Sequence, residues 1–362
     1  MKKVTVLSNM YPSIEHPTYG IFVKNQVELL KSKGIDVDVV AIQDPAKGKV
    51  ANVKKYAKWF MKSLFHLMKN KRKIALTHAH YAFPTGFISM MGKKLFNLPY
   101  IVTVHGGDID KMASKNARIA AMTKKILLAA DAVIVVGERL KKDVIERFNV
   151  PEENVQVMSM GVDTSVFVPL EKSEARKELG IPSEQKMVLY VGNMIEAKGI
   201  LELLEASAIL QKEDPNITLY LIGSDKDKGF MEKFQEKTAS TAVPVVHQLP
   251  MQQREVAKWI AAADLFVLPS HHEGFGLVAL EAMAIGTPVV GTDVGGLSYL
   301  LADNTGILVE PRNAAALAKG MRQALTEVDE DRKLKMEAAV SMHSYDVIAK
   351  RLLALYEGIG NK

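Results

Sequence analysis

The sequence predicts an α/β protein made of two doubly wound parallel sheets in tandem. Three observations carry this. Apolar runs of strand length alternate with runs of helical period along the chain. The alternation breaks once, at the polar stretch 165–186 ("SVFVPLEKSEARKELGIPSEQK", with Pro169 and Pro182), and then restarts. The 362 residues also exceed one average domain.

In the first half "KVTVLS" reads as a strand, and "GIFVKNQVELLKSKG" as a helix that stops at Gly34. "DVDVVAI" and "IALTHAH" are strands, with residues 54–73 between them spaced as a helix. A helix near 85–96, the strand "YIVTVHG", a helix near 114–129, the strand "AVIVVG", a helix over 138–147 and the strand "VQVMSMG" complete the half. The junction is placed near Phe167. Beyond it "MVLYVGN", "ITLYLIGS", "VPVVHQL", "DLFVLPS" and "PVVGTD" read as strands. "GILELLEASAILQKE" and residues 230–240, 252–262 and 275–285 read as helices between them. Such sheets bind ligands at the carboxyl ends of their strands, so the residues just after strands are the candidates for function.

The composition, 48% hydrophobic and 24% charged, is that of a globular protein able to bury large cores. There is no cysteine, hence no disulfide and no thiolate metal site, which fits a cytoplasmic protein. The opening "MKKVTVLSNMYPS" reads as a first strand and not as a signal peptide. No apolar run reaches the roughly 18 residues that a membrane-spanning helix needs. The net charge of +6 is unevenly spread: residues 1–165 carry 26 Lys/Arg against 14 Asp/Glu, and residues 166–362 carry 21 against 27. A basic half and an acidic half point to two domains with different partners.

One stretch, "SHHEGFGLVALEAMAIGTPVV" at 270–290, poses a chemical question. Glu273 and Glu281 stand eight positions apart, with glycines and a helix start, near Phe275, between them. Free amides and the helix dipole make an anion site there, and Gly274 and Gly276 allow close approach. A carboxylate accepts well from neutral sugar hydroxyls. One Glu holding a sugar and the other a ribose, with a diphosphate between, describes a nucleotide-sugar. By spacing alone, a helix-start Glu followed by a surface Glu fits equally.

Resemblance separates the two readings. "EGFGLVALEAMAIGTPVVGTDVGG" resembles the E-x7-E signature of the retaining family 4 glycosyltransferases. "HPTYGIFVKNQ", "HAHYAFPTG", "VTVHGGD", "MGVDTSVF" and "YVGNMIEAKG" resemble that family's other motifs, in the same order along nearly the whole chain. The resemblance implies the GT-B fold, two Rossmann-like domains facing a central cleft. Domain bounds follow: 1–166 for the acceptor, 167–343 for the nucleotide-sugar, and 344–362 as a helix crossing back to the first domain. It also implies roles. Glu273 contacts the donor sugar near its anomeric carbon, and Glu281 the ribose. The amides of Gly274, Phe275, Gly276 and Leu277 take the diphosphate, which Lys198 neutralises. Gly20 belongs to a loop closing over the phosphates, and His105 touches the reacting sugar. Asn193 stands where the family usually has an arginine, so a charge is missing there.

The resemblance implies no cofactor and no metal, the nucleotide-sugar being a substrate. "SDKDKG" at 224–229 comes closest to a D-x-D metal motif and is flanked by lysines. His78 and His80, and the pair His271 and His272, lack the spacing of a metal site. The expected partners are a nucleotide-sugar, UDP-linked by family habit, and a lipid-linked sugar or growing surface glycan. A small soluble acceptor, such as an inositol phosphate, is the alternative. Nucleic acid is not expected, since no aromatic-rich RNA motif or helix-turn-helix pattern appears. Residues 54–73, "KKYAKWFMKSLFHLMKNKRK", set Tyr56, Trp59, Phe60, Leu64, Leu67 and Met68 on one helical face amid lysines. That pattern suits either packing on the sheet or contact with an anionic membrane at its inner face.

Overall fold

The computed structural model describes residues 3–45 and 49–360, without the side chains of 49–52 and 111. The chain divides into two compact units, Met1–Met160 with Asp346–Lys362, and Gly161–Tyr345.

Unit 1 holds a six-stranded sheet: β1 (Lys3–Ser8), β2 (Val37–Ala41), β3 (Ile74–His80), β4 (Tyr100–Val104), β5 (Ala132–Val135) and β6 (Val155–Val157). The order is β2-β1-β3-β4-β5-β6 and each pairing is parallel. The connecting helices are α1 (Ile21–Ser32), α2 (Lys49–Asn70), α3 (Phe87–Phe96), α4 (Ala117–Ala129) and α5 (Glu138–Phe148). Helix α4 starts later than the expected 114 because the Asn116 side chain caps the Ile119 amide at 2.9 Å.

Unit 2 holds β7 (Lys186–Val191), β8 (Ile217–Ile222), β9 (Val245–Gln248), β10 (Leu265–Leu268), β11 (Val289–Thr292) and β12 (Ile307–Val309). Their order is β12-β11-β10-β7-β8-β9, again parallel. Its helices are α6 (Lys172–Leu179), α7 (Ile200–Gln211), α8 (Lys228–Ala239), α9 (Gln253–Ala262), α10 (Leu277–Ile285), α11 (Leu297–Leu300), α12 (Ala314–Thr326) and α13 (Glu330–Met342).

A last helix, α14 (Tyr345–Gly360), returns to unit 1. Its Ile348, Leu352, Tyr356 and Ile359 are buried in one cluster with Val4, Val6, Val27, Leu30 and Leu76. Sheet 1 therefore completes its core with residues from the far end of the chain.

Two expectations need correction. The polar stretch 165–186 is not simply a connection, since it contains α6. Arg176 of α6 is buried and donates to the carboxylate of Asp264 and the carbonyls of Ala262 and Ser183. The boundary between units also falls before the expected Phe167. Val162 pairs with Ser344 and its amide donates to His343, so Val162 and the buried Phe167 belong to unit 2.

The basic helix is only partly as expected. Trp59 and Leu67 are buried against Leu7, Val40 and Ile88, and Tyr56, Phe60 and Leu64 pack beside them. Met68 points outward, 47% exposed, in a ridge with Met61 and Phe65. The helix ends at Asn70, before Lys73, because Ile74 opens β3. Among the described residues no helix is long and apolar enough to cross a membrane.

Candidate nucleotide-sugar site

In unit 2 the strand order reverses between β7 and β10, which are hydrogen-bonded neighbours. The loops after these two strands leave in opposite directions, and a crevice at such a point is where doubly wound sheets bind ligands. Lys198 lies on the first loop and Glu273 on the second. Lys198 Nζ is 2.6 Å from Glu273 Oε2, and Ser270 Oγ donates to the same oxygen at 3.2 Å. The two side chains are 23% and 17% exposed, so the pair is partly desolvated yet open to a ligand.

The backbone explains the meeting. The His271 amide donates to the Ala197 carbonyl at 2.9 Å. Gly199 has φ +68, and a Cβ there would lie 1.9 Å from the Pro269 carbonyl oxygen. On the other side Gly295, φ +54, leaves room for the Glu273 carbonyl, which a Cβ would approach to 1.9 Å. Glycine is required at both positions by conformation and by space. Gly199→Ala and Gly295→Ala are each expected to cost about 2–4 kcal/mol of unit 2 stability. Urea unfolding checks this, and a loss under about 0.5 kcal/mol would show that the two loops are not held this way.

The amides expected to take the diphosphate differ in detail from expectation. Helix α10 begins at Leu277, after the left-handed Gly276, and not near Phe275. Glu281 is thus about one turn into the helix. Among the described residues the amides of Phe275, Gly276 and Leu277 have no hydrogen-bond acceptor. Three such donors at a helix start suit an anion. The Phe275 ring itself is buried, edge-on to His343 at 5.2 Å, so it serves the site through its backbone.

Glu281 is half-buried and accepts from Gln253 Nε2 at 3.2 Å. Burial pushes its carboxyl up to about 8, and the hydrogen bond from Gln253 opposes the rise. Asn193 is exposed. Its carbonyl accepts from the Tyr190 hydroxyl at 3.0 Å, and burial followed by the Glu273 charge holds the Tyr190 phenol well above its ordinary range. The sequence reading missed Ser270, Gln253 and Tyr190. The "GG" at 295–296 was the visible sign that something packs closely there.

In unit 1 the sheet reverses between β1 and β3. Gly20, φ +70, begins α1 against the Met10 carbonyl. His105 Nε2 lies 3.1 Å from His80 Nδ1, and the imidazole is flanked by Phe22 and Tyr81. Burial, helped by His78, holds His105 down to about 3, so it is a neutral imidazole. Asp108 accepts from the Ala82 and His105 amides at 2.9 and 3.2 Å, which makes it the clamp of this loop. His78 and His80 are fully buried, His78 between Tyr356 and Thr103, so neither lines an open surface. The role expected of His105 rests on the resemblance. His271 is buried against Glu202 at 2.8 Å. Among the described residues no three His, Asp or Glu are grouped to hold a metal ion.

Comparison with known proteins identifies the family and the fold. Residues 171–340 match the family model "Glycosyl transferases group 1", and residues 20–166 match "Glycosyltransferase Family 4". A Bacillus subtilis protein named for teichuronic acid biosynthesis as a glycosyltransferase is 28% identical, over 94% of this chain and 92% of its own. A D-inositol 3-phosphate glycosyltransferase of Thermobispora bispora is 32% identical, over 77% of this chain and 69% of its own. Among solved structures, Anabaena HepE in complex with UDP-glucose has a TM-score of 0.79 at 17% identity and covers 100% of both chains. Sucrose-phosphate synthase from Thermosynechococcus elongatus has a TM-score of 0.78 at 23% identity, over 99% of both. These last two show the fold, GT-B. Matched in both halves, and with relatives of this identity and coverage, the chain belongs to glycosyltransferase family 4.

Proposed function

We propose that this chain is a retaining, metal-independent glycosyltransferase that moves a sugar from a nucleotide-sugar, UDP-linked, to a lipid-linked sugar or growing glycan of the bacterial surface. The observation that carries the reading is the Lys198–Glu273 pair beside the open amides of α10, with Glu281 one turn further on. In this reading the diphosphate lies on the amides of Gly274 to Leu277. Lys198 turns to it, and Glu273 is released to accept from the sugar hydroxyls. Charge that develops on the leaving diphosphate meets Lys198 and the helix start, so no metal is needed for that step. The bond from the anomeric carbon to the diphosphate oxygen breaks, and the acceptor oxygen bonds to the same face. Its proton passes to the leaving phosphate.

The teichuronic acid name of one relative, and the UDP-glucose held by HepE, favour a surface glycan and a UDP donor. The inositol phosphate acceptor named for several relatives favours the second reading, a small phosphorylated acceptor. We place the acceptor on unit 1 and unit 1 at the inner face of the cell membrane, through the lysines and exposed apolar ridge of α2. No nucleic acid enters this reading.

Thermal unfolding against UDP-, GDP- and ADP-sugars, free UDP and GDP, NAD and a short RNA tests it. One nucleotide series is expected to raise the midpoint, because a ligand of the folded state stabilises it in proportion to the logarithm of its excess over Kd. Glu281→Ala is expected to lose that shift. A shift with NAD or RNA alone would overturn the reading.

A further inference from the structure

Unit 1 has a cavity of about 360 Å³ that the nucleotide-sugar reading leaves unused. It opens beyond the carboxyl end of the edge strand β2. Ala41, Ile42, Gln43 and Asp44 line one side, and Lys55, Lys58, Trp59 and Lys62 of α2 line the other. The cavity thus sits at the edge of the sheet, away from the reversal between β1 and β3, and its size suits a small ligand.

Its construction is specific. The three lysines recur at i, i+3 and i+7, so they share one helix face. Trp59 is 5% exposed and donates its indole N–H to the Val40 carbonyl at 3.1 Å, which ties the cavity wall to the sheet. Lys55 Nζ donates to the Asp44 carbonyl at 2.9 Å across the cavity. Gln43 Nε2 donates to the Pro12 carbonyl at 3.0 Å and steadies the loop after β2. Among the described residues Lys58 and Lys62 have no ion pair, although they stand four apart on a helix and repel each other. Among the described lining residues three ammonium groups stand against the one carboxylate of Asp44, an excess of about two positive charges. A phosphoryl group carries about −1.5 to −2 at neutral pH. A carboxylate would leave that excess half met.

We propose that this cavity is a second anion site of the protein, one that takes a phosphoryl group, whether free or borne by a lipid headgroup. The same helix bears on both sources. About a quarter of a turn from the lysine row, Met61, Phe65 and Met68 stand 65%, 60% and 47% exposed at i, i+4 and i+7. An apolar ridge beside a phosphoryl pocket is the arrangement that meets a headgroup and its acyl chains together. A free phosphate would use the lysines and leave the ridge bare. The inference rests on the helix to which membrane contact is assigned above, but the two fail separately.

Trp59 and Trp259 are the two tryptophans, so Trp259→Phe leaves Trp59 as a reporter inside the cavity wall. In that background the emission of Trp59 would be titrated with inorganic pyrophosphate and with phosphatidylglycerol vesicles at low salt. Phosphatidylcholine vesicles serve as control. A saturable change is expected, weakened about tenfold or more by Lys58→Gln with Lys62→Gln, both at exposed positions. The UDP-induced thermal shift, read from unit 2, is expected to stay as in the parent. A response to pyrophosphate supports the site with a free phosphate as its source. A response to phosphatidylglycerol alone, weakened also by Met61→Ser with Phe65→Ser, supports the site with a lipid source. Silence with both probes overturns the proposal. So does vesicle binding that falls with salt but ignores the two glutamines, which would leave α2 a diffuse basic surface without a pocket.

Discussion

Glu273→Gln is expected to bind free UDP more tightly than the parent while turning over about 10²–10³-fold more slowly. The two effects have opposite signs because of the pairing at 2.6 Å. In the ligand-free protein the Glu273 carboxylate already neutralises Lys198, so an arriving diphosphate must compete for the ammonium. Glutamine keeps the shape and removes the competitor. Freed from it, Lys198 is expected to favour the diphosphate by about 1 kcal/mol, roughly a fivefold lower Kd for UDP. Turnover falls because the sugar loses a charged acceptor near its reacting carbon. Lys198→Ala is expected to lose on both counts, with weaker UDP binding and a similar fall in kcat, since the departing diphosphate then meets only the amides of α10. Calorimetric titration with UDP and steady-state rates with the donor found by thermal shift separate the cases. If Glu273→Gln weakens UDP as much as Lys198→Ala does, the pair does not act as a competitor for the diphosphate. Asn193, in place of the usual arginine, makes this pairing the more consequential, because the loop brings no second cation in reserve.

The second large effect concerns acid. Unit 1 buries a column of three imidazoles, His78 stacked on His80 at 4.7 Å and His80 on His105 at 5.4 Å. Burial lowers all three, His78 and His105 to about 3 and His80 well below its ordinary value. The unfolded chain takes up protons near 6.5 and the folded chain does not. The stabilisation from neutral imidazoles is therefore complete above pH 6.5 and is lost as pH falls below it. By pH 5 His78 and His105 together cost about 4 kcal/mol, and His80 acts in the same direction. Asp108 works the other way. Burial raises it to about 6, so the folded state gains a proton between pH 6 and 4, returning about 1.4 kcal/mol by pH 5. The net expectation is loss of unit 1 structure between pH 6 and 4.5, with unit 2 still folded. Urea midpoints read from Trp59 between pH 7.5 and 4.5 measure it. His80→Asn, which removes the central imidazole, is expected to flatten the profile by about a third. A wild-type midpoint unchanged down to pH 5 would show that these histidines accept protons in place.

The sequence by itself determined the architecture and the family. Strands such as "ITLYLI" and "YIVTV" are short apolar runs rich in branched residues, and they form parallel strands buried on both faces. The long helices announced themselves by period, and the end of α1 by Gly34, whereas the Asn116 cap that starts α4 was not read. These are local properties, decided within one or two turns of chain. Helix α6 was not legible, because eight residues between prolines, six of them polar, give too little apolar period to read. Glu273, Glu281 and Lys198 were singled out through their motifs, and the structure sets Lys198 against Glu273.

The tertiary structure alone decided how those residues act. Lys198 and Glu273 are 75 positions apart, and they meet because β7 and β10 are neighbours where the sheet reverses. The rotation of α2 on its sheet sent Trp59 and Leu67 inward and Met68 outward, although all three fall within one broad apolar arc. The raised carboxyl of Glu281 and the lowered imidazole of His105 likewise come from what other segments place around them. Period and motif are written in neighbouring residues. Charge pairing, desolvation and close backbone approach depend on residues brought together only by the fold, and on those the sequence is silent.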